Sequence, residues 1–292
     1  MELRHIRYFL AVVEEKNISR AAEKIGIGQP PLSLQIRDLE EQVGTRLFHR
    51  MPQGVELTAA GKAFHDLVKE MPAQLEHAVA AAQRAARGEL GSLRVGYTGS
   101  VIFNPVVSVC IREYRRLYPD VHLRLEESAT PNLMNALREG ELDVAFLRQG
   151  VSDASDLHIE LLSEEPLVAV LPVRHPAAEQ EVVDLGTLRD DPFILIPRDV
   201  GPTVFDTVIA ACCEAGFEPE MGQVAPQISS IVSLVAADMG VSLVPESIMH
   251  VQSPGAVFRN VRGCTATAWL TVAWRRSDSS PFLRNFISIT RA

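Results

Sequence analysis

The chain lacks several features that would each settle a function class. No stretch approaches the roughly 18 uninterrupted apolar residues of a membrane span. The N-terminus, MELRHIRYFL, has neither the long apolar run nor the small-residue cleavage site of a secretory leader. A soluble cytoplasmic protein with no membrane partner is therefore expected. The four cysteines, Cys110, Cys212, Cys213 and Cys264, form no CxxC or Cys/His ligand spacing, and two are adjacent. That pattern suits buried thiols better than a disulfide framework, and neither a structural metal nor a cofactor is expected. Net positive charge is also missing: the formal charge is −9, which argues against a nucleic-acid partner unless Lys and Arg are clustered on one face.

The distribution of charge weakens that objection in part. Residues 1–58 carry eight Lys/Arg and eight Asp/Glu, so the remaining 20 basic and 29 acidic residues lie downstream. At 292 residues and 47% apolar composition the chain can build two or three cores.

Leu3, Ile6, Leu10 and Val13 recur at the spacing of a helix with one buried face, over about residues 2–15. Asn17 and Ser19 are polar N-cap candidates for a second, two-turn helix that halts at Gly26 and Gly28. Pro30 and Pro31 fit the first turn of a third helix, whose Leu32, Ile36, Leu39 and Val43 form the next apolar stripe, closed by Gly44. Two helices joined by a short glycine-bearing turn after a leading helix make a helix-turn-helix. Subtracting the buried stripe leaves Ser33, Leu34, Gln35, Arg37 and Asp38 toward solvent. Those groups suit base edges and phosphates, although periodicity alone equally allows an ordinary polar face. Residues 46–58 read as two short strands around Pro52-Gln-Gly, a wing carrying Arg46, His49 and Arg50.

Thr58 can cap a long helix running to about Arg87, with Leu67, Met71, Leu75, Ala78 and Val79 along a narrow seam that suggests dimerisation. Pro72 should bend it. Beyond Gly88 and Gly91, apolar strands alternate with helices, which points to βα units and parallel sheets. Strands are expected at 93–97, 121–126, 142–147, 167–171, 193–196, 241–244 and 267–274, and helices at 104–118, 131–138, 203–214, 230–238 and 281–290. Gly and Pro punctuation near 148–166, together with a last strand and helix able to return to the first sheet, suggests two subdomains.

An α/β cleft can also catalyse, so a small-molecule-binding enzyme fused to a DNA-binding domain is the alternative. Ser100 follows Gly96-Tyr-Thr-Gly, not the G-x-S-x-G of a nucleophile elbow, and there is no Walker sequence or HExxH pair.

Ile18-Ser-Arg-Ala-Ala-Glu-Lys-Ile25, Gln29-Pro-Pro-Leu-Ser-Leu-Gln-Ile-Arg-Asp-Leu-Glu40, Gly44-Thr-Arg-Leu-Phe-His-Arg50 and Leu57-Thr-Ala-Ala-Gly61 resemble, in order and spacing, the DNA-binding signature of the LysR-type transcriptional regulators. The resemblance continues at Val95-Gly-Tyr97, Gly140-Glu-Leu-Asp-Val-Ala145, Leu167-Val-Ala-Val-Leu-Pro172 and Val235 to Pro245, and is greatest to regulators of aromatic-compound degradation that sense muconate-like dicarboxylates or aromatic acids. It implies an α/β protein with a winged helix-turn-helix over 1–58, a linker and dimerisation helix over 59–88, and a periplasmic-binding-protein-like effector domain over 89–292. Subdomain I would be about 89–162 and 266–292, and subdomain II about 163–265. It further implies a tetramer built as a pair of dimers, promoter DNA with an imperfect palindrome as partner, a small carboxylate as effector, and RNA polymerase as a further partner.

Carried over by position, Gln29, Pro30, Ser33, Gln35 and Arg37 would lie at the major groove and backbone, with Arg50 on the wing. The family often has arginine at position 34; Leu34 cannot contact phosphate but can meet a thymine methyl. For the effector, Ser100, Thr130 and Pro202-Thr203 each sit at an expected helix start, where N–H groups and partial positive charge suit a carboxylate. Arg148 would add a cationic wall, and Phe103 or Val204 would bound the apolar part of the ligand. Simple helix caps at the hydroxyls, and a subdomain salt bridge at Arg148, stay open as alternatives.

Overall fold

The computed structural model describes residues 1–148 and 156–291. They divide into two compact units, Met1–Gln83 and Arg84–Ala292.

In the first unit, α1 (Leu3–Glu15), α2 (Ile18–Ile25) and α3 (Gln29–Val43) close around Phe9, Val12, Ala21, Leu32, Ile36 and Leu39. Of the two cap candidates before α2 it is Asn17 that serves, its Oδ1 accepting from Ser19 N at 2.9 Å and Arg20 N at 3.2 Å. Strands β1 (Phe48–Met51) and β2 (Gly54–Leu57) pair antiparallel as the wing.

The single bent helix expected from Thr58 onward is instead two, α4 (Ala59–Val68) and α5 (Met71–Ala86). The cause is Pro72. Its ring would collide with the carbonyl four residues back, that of Val68, and it offers no N–H to it. Accordingly α4 stops at Val68 and the proline takes the first turn of α5, where a missing N–H costs nothing.

The second unit contains β3 (Gly91–Tyr97), α6 (Pro105–Leu117), β4 (Val121–Glu127), α7 (Thr130–Glu139), β5 (Val144–Leu147), β6 (Leu157–Pro172), β7 (Val182–Asp184), β8 (Pro192–Leu195), α8 (Pro202–Glu214), β9 (Glu220–Val224), α9 (Ile228–Ala236), β10 (Ser242–Pro245), β11 (Ala256–Arg262), β12 (Thr267–Arg275) and α10 (Pro281–Thr290). Strands β4, β3 and β5 are parallel, as the βα rhythm requires. The sheets are nevertheless mixed rather than parallel throughout, because β12 runs antiparallel to both β5 and β6, and β10 and β11 run antiparallel to β6.

Strand β6 joins the two halves. Residues 157–166 pair with β12, and residues 167–172 pair with β10 and β11. The expected boundary at 162/163 therefore falls inside one continuous strand. Of the punctuation expected near 148–166, residues 149–155 lie outside the described residues, and from Leu157 the chain is strand. Pro166 is tolerated because it stands where pairing with β12 ends, opposite Thr267, and pairing with β10 begins at Leu167. Leu93, Phe146, Val272 and Phe286 fill the core of the first half, and Leu171, Phe193, Val208 and Leu243 that of the second. Among the described residues no helix is long and apolar enough to cross a membrane.

Candidate functional site

Helix α3 turns Leu32, Ile36 and Leu39 inward, leaving Gln29, Pro30, Leu34 and Arg37 exposed and Ser33 half-buried. Gln29 Nε2 donates to Ser33 Oγ at 2.9 Å, so these two expected contact residues are already oriented together. Gln35 departs from the expected solvent face. It lies about 60° from Leu32 around an ideal helix, on the flank of the buried stripe. Its Oε1 is enclosed without a hydrogen-bond partner, while Nε2 reaches Asp38 Oδ2 at 3.4 Å.

The wing is tied to α3 by Glu40, whose Oε1 accepts from Leu47 N at 2.7 Å and Phe48 N at 3.0 Å. This leaves Arg37, Arg46 and Arg50 around one groove of about 690 Å³. Two glycines allow other close approaches, of α4 to Leu47 before the wing and of the wing to Lys16 at the end of α1. A Cβ on Gly61 would lie 2.0 Å from the Leu47 carbonyl oxygen, and one on Gly54, at φ +149°, 2.3 Å from that of Lys16. The first unit thus presents an arginine-rimmed surface beside a helix face of amide, hydroxyl and one large apolar side chain.

In the second unit a cavity of about 490 Å³ opens between the two halves. Ser100, Thr130, Arg148 and Val204 line it, together with Thr98 and Glu127. Among the described lining residues the cavity meets α8 at Gly201 and Val204, one turn apart on the same face, and not at Pro202 or Thr203. Phe103 packs instead against the apolar cluster around Ile194 and Val232.

Simple capping does not account for the two hydroxyls that face the cavity. Ser100 precedes a three-residue 3₁₀ turn and Thr130 is the first residue of α7, and neither supplies a side-chain cap. The helix start is also poorer in free donors than its position suggests. Thr130 N donates across the cleft to the Val200 carbonyl at 3.4 Å, and Pro131 has no N–H. At α7 the polar contact must come chiefly from side chains. Thr98, which sequence reading missed, also lines the cavity, with its hydroxyl oxygen buried and without a hydrogen-bond partner among the described residues.

Arg148 lines the cavity and is held in an ion pair. Its guanidinium pairs with Glu165 through Nη1, reaches Ser100 Oγ from Nε at 3.4 Å, and donates from Nη2 to Ser247 Oγ at 3.2 Å. Glu165, on β6, also accepts from Asn104 Nδ2 at 2.7 Å and Ser247 N at 2.9 Å. Both charges are nearly enclosed, Arg148 at 3% and Glu165 at 6% exposure. Burial pushes the Arg148 guanidinium below its ordinary value, against the pull of Glu165. Burial alone would raise the Glu165 carboxyl, but the charge and hydrogen bond of Arg148, with the donors of Ser247 and Asn104, hold it below the ordinary range. At the cavity mouth, Gln227 Nε2 donates to Glu127 Oε1 at 2.8 Å, a further link between the halves.

Residues 3–62 match the bacterial regulatory helix-turn-helix protein, lysR family, and residues 86–292 match the LysR substrate binding domain. The chain belongs to the LysR family of transcriptional regulators. This regulator is 35% identical over 290 residues to the HTH-type transcriptional regulator AlsR of Bacillus subtilis, across 99% of this chain and 95% of AlsR. It is 34% identical over 289 residues to the HTH-type transcriptional regulator CatR of Pseudomonas putida, across 99% of this chain and 98% of CatR. Its fold is similar to that of full-length CbnR complexed with target DNA, with a TM-score of 0.88, 26% identity, and coverage of 100% of this chain and 99% of CbnR. The first unit is thus a DNA-binding domain, and the second contains an effector-binding domain.

Proposed function

We propose that this regulator senses a small carboxylate in the cavity between the halves of its second unit and answers through its hold on an imperfectly palindromic promoter. The observation that carries this reading is the convergence of Ser100, Thr130 and Arg148 on one cavity, where a carboxylate would find donors. The enclosed Thr98 hydroxyl beside them is without a partner among the described residues, and a buried polar group left unpaired costs about 1–3 kcal/mol. Val204, Ile196 and Ile228 offer apolar surface to the rest of the ligand. Among the described residues the lining includes no histidine, and its Glu127 is bonded to Gln227, which favours binding over turnover.

On DNA, Gln29, Pro30, Ser33 and Arg37 face the major groove and its phosphates, and Arg50 meets the backbone from the wing. Two copies pair along α4 and α5, where Leu67 (81% exposed), Leu75 and Val79 otherwise leave an apolar stripe in water. Two such pairs make a tetramer, and a change in its shape alters the access of RNA polymerase to the promoter in the cytoplasm. The test is a thermal-shift screen of aromatic and dicarboxylic acids on the full chain. A ligand at 100 times its dissociation constant stabilises by about 2.7 kcal/mol. Thr130→Val should cost a hit about 1–3 kcal/mol of affinity while leaving ligand-free DNA binding unchanged. A lowered melting temperature with normal ligand affinity would make Thr130 structural.

A further inference from the structure

We infer that Leu34 is a specificity-determining residue that reads the 5-methyl group of one thymine in each half-site of the operator, an assignment that rests on α3 lying in the major groove. Leu34 is 56% exposed, a large apolar side chain at the centre of the outward face of α3. Pro30 and Pro31 lie one turn back, Ser33, which accepts from Gln29, immediately precedes it, and Arg37 is one turn forward. No capping, packing or core role claims it. It stands outside the cluster built on Leu32, Ile36 and Leu39 and outside the partly buried side chains packed against that cluster.

The partner is fixed by chemistry. On the major-groove floor the only apolar group that a base pair presents is the thymine methyl, and an aliphatic side chain on a recognition helix is its natural contact. Gln35, one of the residues that sequence reading placed at the major groove and backbone, has its Oε1 enclosed. Discrimination therefore shifts toward the residues that remain outside. Leu34 has no polar atom with which to bond a phosphate or a base edge. Its contribution is consequently one of sequence preference, with little dependence on salt.

The experiment uses the full chain and the duplex it enriches from a randomised library. Each thymine of that duplex is replaced in turn by deoxyuridine, which deletes only the methyl, and binding is measured for the wild type, Leu34→Ala and Leu34→Gln. One thymine per half-site should weaken wild-type binding by about fourfold on replacement, the value for one methyl-sized group returned to water. Leu34→Ala should bind the thymine duplex more weakly yet be indifferent to that replacement, and its salt slope should match the wild type. Leu34→Gln, selected afresh, should lose the preference for thymine at that position. Equal sensitivity of wild type and Leu34→Ala to every deoxyuridine would overturn the assignment. Guanine-N7 protection confined to sites away from α3, or no protection in the major groove at all, would instead overturn the docking on which it rests. Both variants alter an exposed side chain, so unchanged melting temperatures show that any loss is one of recognition.

Discussion

Glu165→Gln tests the electrostatics of the effector domain at its most enclosed point. The substitution keeps the side chain's shape and one acceptor but removes the charge that neutralises Arg148, which is 3% exposed and cannot turn to water. Removing one member of a buried ion pair typically costs about 3–5 kcal/mol, most of it the penalty of the stranded charge. For a domain of roughly 200 residues each kcal/mol shifts the midpoint by about 2–4 °C, so a fall near 10 °C is expected by differential scanning calorimetry. The pH dependence supplies a second readout. Because the folded Glu165 carboxyl is held below its ordinary value, its contribution is complete above that value and is lost as pH falls through the depressed folded one. The wild type should lose stability in this acid window and Glu165→Gln should show a flatter limb. Replacing both Arg148 and Glu165 with methionine should recover only part of the loss, since no uncompensated charge remains but the Asn104 and Ser247 donors lose their acceptor. A midpoint change below about 3 °C for Glu165→Gln would refute the reasoning.

Three further outcomes follow from the geometry. Thr98→Val should leave the ligand-free protein as stable as the wild type or more so, because it removes a buried hydroxyl without a partner, and should abolish or weaken the thermal shift given by an effector. Arg50→Ala should weaken binding to all duplexes and lower the salt slope by about one, whereas Gln35→Ala, with its Oε1 enclosed, should change cognate and random binding by less than about 1 kcal/mol relative to each other; a selective cognate loss would restore Gln35 as a base reader. Leu67→Glu with Leu75→Glu should drive the full chain toward monomer in sedimentation at micromolar concentration, and an unchanged mass would place the pairing surface elsewhere.

Most elements of the fold were legible because their signals are local. Periodicity placed α1 and α3, Asn17 and Gly44 bracketed helices with polar and left-handed caps, and the βα alternation gave the parallel β4-β3-β5 core. What escaped was set by pairing at a distance. The first ten residues of β6 hold Glu160, Glu164, Glu165 and Pro166, a composition unfavourable to strands, and become one because β12 lies alongside. Strands β7, β9 and β11 were missed for the same kind of reason: they are short or polar and are defined by their neighbours. At the site, Ser100, Thr130 and Arg148 line one cavity, whereas among the described residues its lining at α8 is Gly201 and Val204 rather than Pro202 and Thr203. Glu165 was invisible beside Glu164. In a strand adjacent side chains face opposite ways, and only the fold shows which of the two glutamates is enclosed.

The position of Arg148 bears on how a ligand signal can leave the cavity. A ligand alters the balance between two arrangements only to the extent that it binds them unequally. A carboxylate accepting from Arg148 Nε would compete directly with its 3.4 Å bond to Ser100 Oγ, while the Ser100 O–H can donate to the same carboxylate. The same guanidinium holds Ser247 of the second half at 3.2 Å and the Glu165 carboxylate of the strand shared by both halves. Ligand and inter-half contacts thus draw on one set of donors. By contrast, the Gln227 to Glu127 bond at the mouth joins the halves without touching Arg148. Gln227→Ala therefore separates the two routes: if the signal runs through Arg148, the variant should retain the ligand-induced change in DNA binding while its ligand affinity shifts. If closure at the mouth is the signal, affinity and response should fall together, and reporter induction measured alongside thermal shift distinguishes the two.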